Sequence, residues 1–280
     1  MDRESLPALL KRHGLWARKS LGQHFLLDNA ALDKIVAAAE LTPDDTVVEI
    51  GPGPGPLTRK LADAAGRVIA VELDERMVDL LRAEVTPGRA VEVVQGDILQ
   101  TDLRDLVTSR GASRYKVVAN LPYYITSAAL RHILEASLPP TRVVVLVQRE
   151  VAERIVARPP DMSLLAVSVQ LFGAPRIVAR VPAGAFYPPP KVDSAIVRLG
   201  VYPQPAEDVT DVVGFFEVTR AGFGQKRKQL RNSLSQGLRR PAADIDAALR
   251  AAAIDPTRRA ETLTLAEWSR LQQALASGVT

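Results

Sequence analysis

Between Thr46 and Gly200, short runs of β-branched residues alternate with longer stretches whose apolar residues recur every three or four positions. A strand buried on both faces reads as a continuous apolar run and an amphipathic helix as a 3.6-residue period. The pattern therefore predicts βαβ units around a largely parallel sheet. The strand-like runs are Thr46–Ile50, Arg67–Leu73, Val91–Val94, Lys116–Ala119 and Arg142–Val147, with Arg176–Val181 and Ala195–Leu199 as a late pair. Helical periodicity fills Leu57–Ala65, Glu75–Val85, Ser127–Ala136 and Glu150–Val156. Pro182, Pro188, Pro189 and Pro190 separate the late pair and exclude a crossover helix, because proline lacks the donor a helix interior needs. The late pair is thus expected to be antiparallel, giving a mixed edge to a sheet of about seven strands.

After Gly200 the segment Val201-Tyr-Pro-Gln-Pro205 reads as a linker. Beyond it only helical patterns follow, at Val209–Phe223, Lys226–Leu238, Ala243–Ala252 and Leu265–Ala276. The expected organisation is an α/β catalytic domain over residues 1–200, with 1–45 as an N-terminal extension, and a small α-helical domain over 206–280.

Composition narrows the chemistry. Cys is absent and the only histidines are His13, His24 and His132, so thiolate and multi-His metal sites are excluded and difficult chemistry must come from a bound organic cofactor. No metal site is expected. No apolar run is long enough for a signal peptide or a membrane span, and the chain reads as a soluble, cytoplasmic protein. The net charge of +4 suggests an anionic partner.

The cofactor has a candidate site in Val48-Glu-Ile-Gly-Pro-Gly-Pro-Gly-Pro-Leu57, where a strand runs through Gly51, Gly53 and Gly55 into a helix. Glycines let the backbone approach a ligand closely, and a helix N-terminus adds partial positive charge. A dinucleotide fingerprint would place a glycine at position 56, which is Pro56, and no Gly-Lys-Ser or Gly-Lys-Thr follows to make a P-loop. An ordinary structural glycine turn remains the competing reading. Two acids weigh against it: Glu72 ends the second strand and Asp97 follows the third, at the sheet end where a doubly wound fold binds ligands. Glu72 can accept both hydrogen bonds of a ribose diol and Asp97 one from an adenine amino group. That pocket needs no pyrophosphate clamp and suits S-adenosylmethionine better than NAD.

Asn120-Leu-Pro-Tyr123 ends the fourth strand. An exocyclic adenine amine is a poor nucleophile because its lone pair is delocalised into the ring. The Asn120 side-chain oxygen and the Leu121 or Pro122 carbonyl can accept its two N–H bonds and favour a tetrahedral nitrogen, while the Tyr123 ring stacks on the extruded base.

At these motifs the chain resembles the rRNA adenine dimethyltransferases, most closely the small-subunit (16S) enzymes. The resemblance runs through Gly22-Gln-His-Phe-Leu26, Glu49-Ile-Gly-Pro-Gly53, Val71-Glu-Leu-Asp74, Gly96-Asp97, Asn120-Leu-Pro-Tyr123, Phe186-Tyr-Pro-Pro-Pro-Lys-Val-Asp-Ser194 and Phe223-Gly-Gln-Lys-Arg-Lys-Gln-Leu-Arg-Asn232. It implies a Rossmann-like class I methyltransferase domain and S-adenosyl-L-methionine as cofactor. It also implies cofactor contacts from His24, Leu26, Gly51, Gly53, Glu72, Asp97 and Asn120, with Tyr123 and Phe186 sandwiching the target adenine. The implied substrate is two adjacent adenosines near the 3′ end of small-subunit rRNA, within a pre-small ribosomal subunit, and the implied state is a monomer. The family usually carries Asn where this chain has His24, and often Asn where it has Tyr124. The acid-free stretch from Val218 to Ala243 holds Arg220, Lys226, Arg227, Lys228 and Arg231, which the resemblance turns from a solvated face into an expected RNA contact. A second basic cluster, Lys11, Arg12, Arg18 and Lys19, flanks Trp16. The competing readings are the large-subunit branch that confers macrolide resistance, and relatives that act as transcription or assembly factors.

Overall fold

Continuous apolar runs supply strands that can be covered on both faces, and the periodic segments supply the covering helices. The structure, a computed structural model, describes residues 5–18, 22–225 and 227–278. In chain order the elements begin with α1 (Leu6–Arg12), β1 (Phe25–Leu26), α2 (Asn29–Ala39), β2 (Thr46–Ile50), α3 (Pro56–Ala64), β3 (Arg67–Glu72), α4 (Glu75–Glu84), β4 (Val91–Gln95), α5 (Leu103–Thr108) and β5 (Lys116–Asn120). They continue with α6 (Thr126–Leu134), β6 (Arg142–Gln148), α7 (Arg149–Ile155), α8 (Leu164–Gln170), β7 (Gly173–Val181), β8 (Phe186–Tyr187) and β9 (Ser194–Val201). The last four are α9 (Val212–Phe223), α10 (Leu230–Leu238), α11 (Ala242–Ala251) and α12 (Leu265–Ala276).

The main sheet has seven strands in the order β4-β3-β2-β5-β6-β9-β7. Strands β2 to β6 pair in parallel, and β9 lies antiparallel to β6. The sheet is mixed, as the prolines predict, but β9 is inserted beside β6 and β7 takes the edge. Burial follows that placement: β9 is largely buried, whereas β7 alternates between covered and exposed residues. Strand order reverses between β2 and β5, and a crevice opens at the carboxyl ends of the strands there. A separate two-stranded sheet joins β1 to β8, with Leu26 opposite Phe186. The sequence pattern misses it because two-residue strands carry no period.

The chain divides into two compact units, one comprising the residues up to Ala152 with Arg176–Val201, the other Glu153–Pro175 with Tyr202 onward. This differs from the division expected at residues 200–206, because 153–175 goes with the helical unit. The reason is α8, whose Ala166, Val167 and Leu171 are buried in the same apolar cluster as Phe215, Leu234 and Trp268. The start of α10 also differs from expectation. The helix begins at Leu230 and not at residue 226, and its free first-turn donor Leu230 N–H is satisfied by Arg258 O at 2.8 Å. Arg227 and Lys228 precede it, and Lys226 lies outside the described residues.

Packing around Trp268 gives a test of the helical unit. The indole is fully buried, and a Cβ added at Gly222 on α9 would stand 2.4 Å from its Cη2. Alanine gains about 1 kcal/mol over glycine in a helix interior, but overpacking against a rigid buried ring costs about 1–3 kcal/mol. Gly222→Ala is therefore expected to lower stability by up to about 2 kcal/mol in urea denaturation. Gly200→Ala, where the methyl meets nothing within 4 Å, should stay near wild type.

Candidate active site

Where β2, β3, β4 and β5 end, the polar side chains the sequence singles out converge on one cavity of about 220 Å³. Its lining includes His24, Gly51, Gly53, Glu72, Asp97, Asn120, Leu121, Pro122 and Tyr123. It also includes Glu72 and Asp97 as its two carboxylates and no Lys or Arg among the described residues. Such a wall favours a cationic ligand over a pyrophosphate.

Glu72 is held from both sides. Its Oε2 accepts from Gly53 N at 3.0 Å and its Oε1 from Asp74 N at 2.9 Å. Burial pushes its carboxyl above the usual range, while those backbone donors pull the other way. The Gly53 bond explains part of the glycine motif. Gly53 has φ 55°, and a Cβ there would lie 2.9 Å from the Phe25 ring, so only glycine presents this N–H without a clash. Asp97 Oδ1 caps Leu99 N at 2.9 Å, and its other oxygen has no hydrogen-bond partner among the described residues.

Asn120 Nδ2 donates to His24 O at 3.1 Å. A carbonyl oxygen only accepts, so this contact fixes which way the amide faces and leaves Oδ1 as a free acceptor. His24 is itself anchored through Nδ1, 2.7 Å from Pro188 O, and its ring stacks on Tyr123 with centroids 5.8 Å apart. The Tyr123 hydroxyl bonds Ser194 Oγ at 2.8 Å, and burial raises its pKa.

Leu26 and Phe186 do not line the cavity. Phe186 is 3% exposed, and both side chains belong to a core cluster with Leu32, Val181 and Ile196. Alternation along β8 is the cause: Phe186 points in and Tyr187 is exposed. The expected sandwich of Tyr123 and Phe186 is thus not assembled in this structure. Sequence reasoning missed Gln23, Leu73, Ile98, Leu99 and Ile125 as lining residues. Each lies within two positions of a residue that was singled out, which is the signal available for them.

The basic residues expected to meet RNA lie in the helical unit. Arg227 and Lys228 are exposed, Arg220 lies over the Phe216 ring at 6.0 Å, and Arg231 pairs with Asp246 at 3.0 Å.

A family model described as "Ribosomal RNA adenine dimethylase" matches residues 14–277. The chain belongs to the ribosomal RNA adenine dimethylase family. This dimethylase is 51% identical to the ribosomal RNA small subunit methyltransferase A of Dehalococcoides mccartyi strain CBDB1, over 94% of this chain and 90% of the relative. It is 46% identical to the enzyme of the same name from Pelotomaculum thermopropionicum, over 94% and 92%. Among solved structures it resembles a dimethyladenosine transferase from Plasmodium falciparum, with TM-score 0.76, 27% identity and coverage of 91% and 98%. It also resembles the 23S rRNA methyltransferase ErmE, with TM-score 0.70, 30% identity and coverage of 90% and 99%. Its α/β unit is a Rossmann-like class I methyltransferase fold. No helix among the described residues is long and apolar enough to cross a membrane.

Beneath the glycine loop of the dimethylase lies Glu49, which is fully buried on β2. Neither its Oε2 nor the nearby Thr58 Oγ1 completes a hydrogen bond. Burial pushes the Glu49 carboxyl up to about 8; Thr58 offsets part of this and Glu72 adds to it. An unfolded chain releases this proton near 4.5, whereas the folded chain keeps it to about 8. Stability therefore falls as pH rises through that window. Glu49→Gln has no proton to lose, so its melting temperature should match wild type near pH 4.5 and gain on it steadily up to about pH 8. A melting series across pH checks this; a constant difference would mean that Glu49 is ionised in the native state.

Proposed function

We propose that this dimethylase transfers methyl groups from S-adenosylmethionine to N6 of two adjacent adenosines near the 3′ end of 16S rRNA in a pre-small ribosomal subunit, giving N6,N6-dimethyladenosines. The Asn120 amide carries this reading. Its Nδ2 is committed to His24 O, so Oδ1 is the acceptor available to an incoming amine N–H. The Leu121 carbonyl accepts the other N–H, because Pro122 O already receives Ile125 N–H and the Thr126 hydroxyl, and the Tyr123 ring stacks on the base. Drawing both N–H bonds out of the ring plane frees the nitrogen lone pair.

The donor set fits the cofactor. Glu72 takes the ribose hydroxyls, the unpartnered oxygen of Asp97 takes the adenine amino group, and a lining without Lys or Arg among the described residues suits a sulfonium and an ammonium. The cofactor supplies an electrophilic methyl group. Each transfer replaces one N6–H by N6–CH3, and the proton leaves only after methylation has made the nitrogen acidic, so a strong general base is not required. The small-subunit assignment is supported by the greater likeness to small-subunit enzymes than to the 23S enzyme.

Two tests follow from these roles. S-adenosylmethionine or S-adenosylhomocysteine should raise the melting temperature while NAD does not, and Glu72→Ala should weaken cofactor binding by about 1.5–3 kcal/mol in titration calorimetry. Asn120→Ala should slow single-turnover methylation by roughly a hundredfold or more while RNA binding persists. Weakened RNA binding with a normal single-turnover rate would remove Asn120 from this role.

The helical unit supplies a third test. Arg227 and Lys228 are exposed, whereas Arg231 already holds Asp246, so charge reversal at the first two should reduce binding to the small subunit most directly. The salt dependence should become shallower by roughly 0.7–0.9 log units per lost phosphate contact, with cofactor affinity unchanged. Binding across a salt series decides it, and an unchanged slope would return this cluster to a solvated face.

A further inference from the structure

Two tyrosines sit side by side at the end of β5, and they are treated differently. Tyr123 is tied by its hydroxyl to Ser194 and stacked on His24. Tyr124 lines the same cavity, yet it is 62% exposed and its hydroxyl has no partner among the described residues. An exposed aromatic ring at a cavity rim leaves apolar area in water that a planar ligand would cover.

The rim position is built, not incidental. Tyr123–Ile125 forms a single helical turn, closed by Ile125 N–H to Pro122 O at 3.2 Å and by the Thr126 hydroxyl to the same oxygen at 3.3 Å. The Tyr124 ring rests against Gly22, where a Cβ would stand 3.3 Å from its Cδ1, and Gly22 has φ 58°. Glycine at this point lets the ring lie against the N-terminal backbone. Tyr124 therefore has a fixed base and a supported edge while most of its surface faces solvent.

The geometry points to Tyr124 as a stacking platform for the nucleobase adjoining the target adenosine. This rests on the proposed substrate, in which the two adenosines are neighbours. When one base enters the cavity against Tyr123, the phosphodiester link keeps the next base at the rim, where Tyr124 is the exposed ring. Stacking on a side chain with only two rotatable torsions costs little ordering entropy, and it tolerates any base while favouring the larger purine face. Tyr124 is thus a positioning residue: it holds the neighbour so that the target nitrogen stays aligned with Asn120.

The test uses the full-length protein and small subunits reconstituted with rRNA in which one adenosine of the pair is replaced by guanosine or by uridine. Single-turnover methylation of the remaining adenosine is followed at saturating S-adenosylmethionine. Wild type should methylate the guanosine-neighbour subunit several-fold faster than the uridine-neighbour one. Tyr124→Ala should lose roughly tenfold on the guanosine-neighbour subunit, in line with a stacking contact, and the difference between the two subunits should vanish. Tyr124→Leu keeps bulk against Gly22 but has no planar face, and it should behave like the alanine variant, whereas Tyr124→Phe should behave like wild type. A guanosine preference that survives in Tyr124→Ala would overturn the platform. So would a matching loss of cofactor affinity, which would make Tyr124 a cover for the cofactor, or a loss in Tyr124→Phe, which would make the hydroxyl the active group. If wild type methylates none of these subunits nor the native pair, the substrate reading fails and the platform falls with it.

Discussion

The hydrogen bond from Gly53 N–H to the buried Glu72 carboxylate ties the glycine loop after β2 to the end of β3. Without it the loop would have a free donor and Glu72 would keep only the Asp74 N–H on its other oxygen, and an unsatisfied buried group costs more than a typical hydrogen bond contributes. The parallel register of β2 and β3, with Ile50 opposite Val71, brings the two partners together. Gly51 N–H donates to Val71 O and Gly96 N–H to Glu72 O, so the chain leaving β2 and the chain leaving β4 are both fastened to β3. Strand β3 is the post on which the cofactor end of the cavity is hung.

The opposite wall depends on a longer connection. Residues 22–25 reach the cavity because β1 pairs with β8, where Phe25 opposes Tyr187, and because His24 Nδ1 bonds Pro188 O. This anchoring places the His24 carbonyl to receive the Asn120 amide. The proline-rich motif around residues 186–194 thus acts on Asn120 through the N-terminal segment, and it acts again through Ser194, which holds the Tyr123 hydroxyl. The His24 ring also lays a flat surface against Tyr123.

The main sheet was legible because each of its strands is a run of β-branched residues bounded by turns, and the cavity because strand ends in a parallel sheet face one crevice. Glu72, Asp97 and Asn120 could be assigned to that crevice from chain position alone. What stayed hidden depended on non-local pairing. The two-residue strands β1 and β8 have no period to read, so the burial of Phe186 was invisible and the resemblance placed it at the target base. The membership of α8 in the helical unit could not be read either, since its apolar residues would cover a sheet equally well. The N–H at the start of α10 is satisfied by Arg258 O, a contact some thirty residues away that no local propensity reports.

Glu49 shows why the glycine loop carries a stability cost. A carboxyl with one oxygen unpartnered, next to an unpartnered Thr58 hydroxyl, is an arrangement that a well-packed apolar residue would improve on in the free protein. Both groups lie under the loop that Glu72 holds from above, and Pro56 and Leu57 of α3 share with Glu49 a small cavity of about 20 Å³. The loop is therefore braced by hydrogen bonds on its ligand side and incompletely satisfied on its core side. A cation bound against Glu72 would favour the ionised form of that carboxyl, strengthening its bond to Gly53.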